Sequence, residues 1–269
     1  VDFFDVYLLH WLNAKNYALA QKYQEFEFLQ ELKASGKAKK IGFSYHDSAD
    51  LLDEILTCHP EVDYVQLQIN YLDWESESIQ SRRCYETAVK HGKKVIVMEP
   101  VKGGTLAQVP SETADLLHSL SPSESPSSLA IRFAANLPEV EIVLSGMNTM
   151  EQLTENLQEQ EPLTKEEQKI LFQAAVQIQH SIAIACTGCG YCLKGCPKHI
   201  CIPNYFKLYN EYSGNPNDDW KITPVYDRLA ASHGRAADCI RCKSCEHHCP
   251  QKLPITEYLT KISKIFDGK

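Results

Sequence analysis

The run Cys186-x2-Cys189-x2-Cys192-x3-Cys196-Pro197 recurs 53 residues later as Cys239-x2-Cys242-x2-Cys245-x3-Cys249-Pro250. No other feature restricts the folding of this chain as strongly. Three thiolates spaced by two residues wrap one face of a cubane, and a fourth cysteine followed by Pro ligates the neighbouring cluster in two-cluster ferredoxins. That crossing rule assigns Cys186, Cys189, Cys192 and Cys249 to one [4Fe-4S] cluster, and Cys239, Cys242, Cys245 and Cys196 to a second. Structural zinc is the competing reading, but it favours CxxC pairs set apart by a longer spacer and has no use for a repeated Cys-Pro ending. Cys201 fits neither motif and reads as a small packed hydrophobe. Cys58 and Cys84 fall in helical patterns and read as inert buried thiols.

Nine of the 11 cysteines lie between Cys186 and Cys249, so one composition gives way to another. The 42 residues between Cys196 and Cys239 exceed what a compact two-hairpin ferredoxin needs. Residues 203–212 open on Pro203 and read as a helix, as do residues 254–266. Residues 185–269 are therefore expected to form a mainly α-helical, ferredoxin-like domain. Residues 164–184 read as a helical linker: Thr164 and Glu167 form a capping box, and Ile170, Leu171, Ala174, Ile178 and Ile182 an apolar stripe.

Residues 1–163 alternate between short apolar runs and helical patterns. The runs at 3–9, 40–44, 64–69, 95–98 and 141–144 predict strands. The segments 21–35, 48–57, 77–90 and 126–137 predict helices, with Ser48 and Ser125-Pro126 as starts and Gly36 and Gly92 as stops. Such alternation implies right-handed crossovers and a parallel sheet. Neither Gly42 nor Gly103-Gly104 belongs to a GxGxxG or GxxxxGKS motif, which leaves a nucleotide-binding open sheet without support. Five strands are what an eight-stranded barrel retains after losing three, and an open remnant would expose unpaired edges. The expectation is a chain that continues before Val1, about 370 residues in all once about three strand–helix units are added.

A net charge of −8 leaves no cationic surplus to displace counterions from a phosphate backbone, so nucleic acid is not an expected partner. No run approaches 18 apolar residues and no leader pattern opens the chain, so a membrane is not expected either. The expected location is the cytoplasm, where dense cysteines hold metal more often than they form disulfides. The Lys37-Lys39-Lys40 run and the stretch Glu159-Gln160-Glu161 read as solvated faces.

The chain resembles the aldo/keto reductases, in particular their bacterial branch with a C-terminal domain carrying two [4Fe-4S] clusters. Five motifs carry the resemblance. They are Tyr7-Leu8-Leu9-His10-Trp11, Ile41-Gly42-Phe43-Ser44, Val65-Gln66-Leu67-Gln68-Ile69-Asn70, Met98-Glu99-Pro100-Val101-Lys102-Gly103-Gly104-Thr105-Leu106, and Val143-Leu144-Ser145-Gly146-Met147 followed by Glu155-Asn156. The resemblance implies an (α/β)8 TIM barrel, of which this chain holds the last five units, with its site at the C-terminal strand ends. There NAD(P)H would reduce a small carbonyl substrate, a Tyr with lowered pKa giving the proton and a His orienting the carbonyl.

Of those catalytic groups the resemblance places only His10 in this chain. The Tyr, Lys and Asp are expected upstream of Val1, so the chain alone is expected to be inactive. From bare sequence His10 is a strand-end histidine satisfied by a backbone carbonyl; the family match gives it the catalytic reading. The match also places Ser44 and Gln66 at the nicotinamide amide and Met98 where many members stack a Tyr. Gly146, Asn148, Gln152, Glu155 and Asn156 fall at the adenosine end. Gly146 and Gln152 stand where NADPH-preferring relatives often have Lys and Arg, which leaves NADP or NAD open. Trp11 and Tyr45 suggest a partly aromatic substrate pocket.

A hydride carries two electrons whereas a [4Fe-4S] cluster passes one, and no flavin-binding signature supplies the splitter. The clusters either connect to redox chemistry, through a flavin or a redox partner protein, or staple a small domain with little core of its own. The alternative to an enzyme is an electron-transfer protein or subunit on an inactive barrel. The sequence does not set an oligomeric state.

Overall fold

The computed structural model describes residues 2–158, 161–214 and 219–268. The chain divides into two compact units, Val1–Val176 and Gln177–Lys269.

In the first unit, β1 (Phe4–Leu12), β2 (Ala38–Tyr45), β3 (Tyr64–Gln68), β4 (Lys94–Met98) and β5 (Val140–Val143) form one parallel sheet in the order of the sequence. The apolar runs predicted all five. α1 (Ala14–Lys22) and α2 (Glu25–Ala34) connect β1 to β2, while α3 (Ala49–Cys58) and α4 (Ser81–Lys90) make the next two crossovers. α5 (Ser111–Leu120) and α6 (Pro126–Ala135) join β4 to β5, and α7 (Met150–Asn156) follows. Strand order equal to chain order is the wall of a barrel, in contrast to a doubly wound sheet whose order reverses at a switch point.

Burial explains why these strands pair. Ile41 to Tyr45 of β2 are buried without a break, the signature of a strand covered on both faces. Phe43 meets Phe26 of α2 edge-on at 6.2 Å, and Leu52, Ile55 and Leu56 of α3 are fully buried. Each such side chain contributes about 1.5–3 kcal/mol of transfer free energy. Gly42 is required in β2, because a Cβ there would lie 2.1 Å from the Tyr64 carbonyl oxygen.

The helix expected over 21–35 is two helices. Asn13 caps α1, accepting from the Asn16 amide at 3.0 Å, and the chain breaks at Gln24, where φ is 56°. Ser48 and Ser125 cap α3 and α6 as expected. The cap of α8 (Lys165–Ser181) is the reciprocal one read from sequence: the Thr164 amide donates to Glu167 Oε2 at 2.6 Å, and the Glu167 amide donates to Thr164 Oγ1 at 3.2 Å. Lys37, Lys39 and Lys40 are exposed; Glu159 and Gln160 lie outside the described residues. Cys84 is buried, but Cys58, at the last position of α3, is exposed, which corrects the reading of both as buried thiols. No helix among the described residues is long and apolar enough to cross a membrane.

The second unit is helical. Each cysteine motif is a loop ending in one helical turn, α9 (Tyr191–Lys194) and α12 (Ser244–His247), and each leads into a longer helix, α10 (Ile202–Gly214) and α13 (Ile255–Phe266). The same 53-residue offset relates every element of the pair. α11 (Asp219–Ala230) lies between them despite Pro224, and its Ile222 and Tyr226 are buried. The core combines Ile200, Ile202, Tyr205 and Phe206 with Tyr226, Leu259, Ile262 and Phe266. The Tyr226 hydroxyl accepts from the Ala236 amide and donates to Asp267, both at 2.9 Å, which ties α11 to the end of α13.

Candidate active site and cluster cavities

The first four strands bring the expected nicotinamide-end residues side by side, His10, Ser44 and Met98 near the C-terminal strand ends and Gln66 at the middle of β3. β1 carries an irregularity between Leu9 and Leu12, so His10 and Trp11 sit on a bulge. Trp11 takes φ of 61°, its amide donates to Ser44 Oγ at 2.7 Å, and its carbonyl accepts from Asn16 Nδ2 at 2.8 Å. Bulges re-aim side chains next to sites, and this one leaves His10 exposed at the strand end. Ser44 pairs in register with Gln66, and Gln66 Nε2 lies 3.3 Å from the Met98 sulfur. Tyr45 is 2% exposed, packs edge-on against Phe43 and donates to the Ser48 carbonyl, so it belongs to the core, contrary to the pocket role expected of it.

A cleft of about 450 Å³ opens beyond β4 and β5. Gly146, Gln152, Glu155 and Asn156 line it, together with Glu99 and Gly104; Asn148 stands behind, its amide donating to Gln152 Oε1 at 2.9 Å. Asn156 Nδ2 donates to Ser145 Oγ at 3.1 Å. Two of the expected nucleotide residues thus also brace the loop that forms the wall. Among the described residues the lining contains no Lys, Arg or His.

Sequence reasoning did not single out the polar network under this cleft. Lys102 Nζ lies 2.6 Å from both carboxylate oxygens of Asp73, with the two side chains 3% and 8% exposed. Gln68 and Asn70 also donate to Asp73 Oδ2, at 2.8 and 3.0 Å, and Asn70 donates to the Glu99 carbonyl. The lysine of the Met98–Leu106 motif is therefore turned away from the cleft. Glu99 has φ of 57°, and its Oε2 is buried without a partner. Burial pushes its carboxyl above the usual range, opposed by Lys102 and by the Gly103 amide and reinforced by Asp73.

In the second unit the eight motif cysteines divide between two cavities. Cys186, Cys189, Cys192 and Cys249 line one, and Cys196, Cys239, Cys242 and Cys245 line another. In each, the fourth cysteine crosses over from the other motif. Ile202 lines both cavities. Gly188 and Gly190 hold φ of 73° and 77°, and their counterparts Arg241 and Lys243 hold 55° and 59°, the left-handed turns that curl three cysteines around one space. Burial pushes the Cys192 thiol up to about 12, and the neighbouring Cys186 and Cys249 add to the shift. Burial likewise raises Cys245 to about 11. Thiolates so placed repel one another unless a cationic group lies between them.

Four thiols around one cavity, three from one motif and one from the other, are the donor set of a [4Fe-4S] cubane. The Thr187 hydroxyl, which sequence reasoning passed over, is buried without a partner beside the first cavity and supplies a donor that cluster sulfur can accept. Cys201 is buried and its thiol faces Asn204 Oδ1 at 3.2 Å, outside both cavities.

A sequential parallel sheet with a polar row across its strands is the wall of a TIM-type barrel, and the helical unit that follows it in the chain carries two crossed cysteine quartets. Residues 1–175 match the aldo/keto reductase family, and residues 185–253 match a 4Fe-4S dicluster domain. The chain belongs to the aldo/keto reductase family. No curated protein matches it. Among solved structures it is similar to the aldo-keto reductase AKR11C1 from Bacillus halodurans in its holo form, at 22% identity and a TM-score of 0.50, over 64% of this chain and 59% of that one. It is also similar to an aldo/keto reductase from Klebsiella pneumoniae in complex with NADP and acetate, at 19% identity and a TM-score of 0.51, with 64% and 59% covered. At these identities the likeness is one of fold. The chain spans about 59–62% of the length of these and similar structures.

Proposed function

We propose that this chain forms the nicotinamide-binding wall of an NAD(P)H-dependent carbonyl reductase whose second unit holds two [4Fe-4S] clusters. The observation that carries the reading is the set His10, Ser44, Gln66 and Met98 on four adjacent strands, with His10 lifted onto a bulge that Ser44 itself pins.

The nicotinamide supplies a hydride. The residues of this chain bind and polarise. Ser44 Oγ, accepting from Trp11, keeps its proton to donate, and Gln66 offers both amide functions, a pair suited to a carboxamide. His10 donates a ring N–H to the carbonyl oxygen, where negative charge develops. The cleft beyond Glu99 takes the remainder of the dinucleotide, and Gly146 and Gln152 give it no cation for a 2′-phosphate, which favours NAD over the NADP bound by the Klebsiella relative. Each cysteine quartet would hold one cluster, which supplies one-electron chemistry. Thr187 donates towards the first, and Ile202 separates the two with an apolar wall.

Titration of the protein with NADH and NADPH, followed by nicotinamide fluorescence, tests the reading. It predicts saturable binding that Gln66→Ala weakens about tenfold or more, the loss of hydrogen bonds to a buried amide. Absence of binding by either nucleotide contradicts it.

A further inference from the structure

The two cysteine motifs are equivalent in backbone but not in charge. Gly188 and Gly190 of the first correspond to Arg241 and Lys243 of the second, and all four have left-handed φ. Glycine adopts that conformation freely, whereas a side chain there costs of order 1 kcal/mol. The second motif thus holds two cations in strained turns that its own duplicate builds with glycine. A third asymmetry points the same way: Lys198 of the first motif, exposed beside the second cavity, corresponds to Gln251, which is buried beside the first.

The result is a charged mouth at the second cavity, whose lining holds two lysines where the first cavity's lining holds none. Lys198, Lys243 and Ile240 line the second cavity, Arg241 lies between them in sequence, and all four are exposed, Ile240 by 59%. No ion pair neutralises Lys198, Arg241 or Lys243 among the described residues; Arg241 donates to Thr260 Oγ1 at 3.2 Å. The acidic residue of the motif, Glu246, is turned onto α13, where it accepts from the Thr256 amide and hydroxyl at 2.9 and 2.7 Å. Residues 177–269 carry 12 Lys and Arg against 8 Asp and Glu, in a chain of net charge −8. An apolar centre ringed by cations beside an exposed ligand, Cys242, has the anatomy of a transient docking patch for an acidic partner.

We propose that the mouth of the second cavity, formed by Lys198, Ile240, Arg241 and Lys243, docks an acidic one-electron carrier protein of the small iron–sulfur type. The inference rests on the cluster reading above. The exchange moves one electron, with no bond made and no proton transferred: the carrier is oxidised by one electron as the second site is reduced by one.

The test is anaerobic stopped-flow mixing of the cluster-loaded protein with a reduced acidic [2Fe-2S] ferredoxin, alongside binding of the oxidised ferredoxin by surface plasmon resonance. The expected association rate falls about tenfold or more as salt rises from about 50 to about 500 mM. The R241G/K243G variant, which takes the duplicate's own residues, associates about tenfold more slowly, keeps its full iron and acid-labile sulfide content and melts no lower than the parent. An unchanged association rate in that variant, salt-independent association, or equally tight binding of a basic cytochrome c overturns the docking proposal while leaving the clusters in place. Lack of acid-labile sulfide in the purified protein overturns the cluster reading and this inference with it.

Discussion

Lys102 and Asp73 form a fully buried ion pair, 2.6 Å from the ammonium to each carboxylate oxygen, beneath the ends of β3 and β4. A buried pair is costly to break from one side, because the remaining charge keeps its desolvation penalty and loses its compensation. Lys102→Met is therefore expected to destabilise the first unit by about 3–5 kcal/mol. Adding Asp73→Asn, which removes the stranded charge, should recover much of the loss. Urea denaturation followed by circular dichroism measures both, and a single-variant cost below about 1 kcal/mol contradicts the burial argument.

Glu99 carries the opposite kind of charge problem. Burial raises its carboxyl above the usual range, so the folded chain keeps that proton to a higher pH than the unfolded chain does. That contribution to stability is fully present below the ordinary carboxylate pKa and is lost as pH rises towards the raised value. Glu99→Gln, neutral at every pH, should melt higher than the parent at pH 8, with the gap closing as pH falls to about 4. A gap that widens on acidification has the wrong sign. The same substitution should also tighten nicotinamide dinucleotide binding at pH 8, since the cleft then presents one carboxylate fewer to the diphosphate.

Thr187 has a prediction of its own. A hydroxyl donating to cluster sulfur stabilises the reduced, more negative state, so Thr187→Val should lower the potential of the first cluster by roughly 40 mV, the one-electron equivalent of about 1 kcal/mol. Thr187→Ser should restore it, and the second cluster should not move. Redox titration monitored by electron paramagnetic resonance separates these outcomes; equal shifts in both clusters would mean a general loosening of the fold.

His10→Ala is expected to lower kcat for carbonyl reduction by about 10²–10³ in the enzyme that contains this wall, while leaving the nicotinamide Kd unchanged. Parallel loss of both would assign His10 to binding.

The sequence made the strands legible because each is a short apolar run between turn residues, and made α3, α6 and α8 legible because Ser48, Ser125 and the Thr164–Glu167 pair mark their starts. The division at Gln24 was hidden, since Phe26, Leu29 and Leu32 keep helical spacing on one side of a left-handed residue that no local pattern announces. α11 was hidden by Pro224, whose missing amide argues against a helix that burial of Ile222 and Tyr226 nonetheless secures. The grouping of the eight motif cysteines around two cavities was legible because the motif spacing is itself the constraint. The Lys102–Asp73 pair was not, because its partners are 29 residues apart and meet only when β3 and β4 are side by side. Nor was the charge of the second cavity's mouth, which emerges only when Gly188 and Arg241, and Gly190 and Lys243, are seen to share a backbone conformation.

The central claim is that two [4Fe-4S] clusters are each held by three cysteines of one motif and the fourth of the other. Iron and sulfide analysis with Mössbauer spectroscopy of the parent and of Cys249→Ala, prepared anaerobically, tests it most directly. The account predicts about eight iron and eight acid-labile sulfide in the parent. In the variant it predicts loss or conversion of the cluster held by Cys186, Cys189 and Cys192, with the Cys239, Cys242 and Cys245 cluster intact. Zinc in place of iron, or damage in the variant confined to the cluster of its own motif, would contradict it.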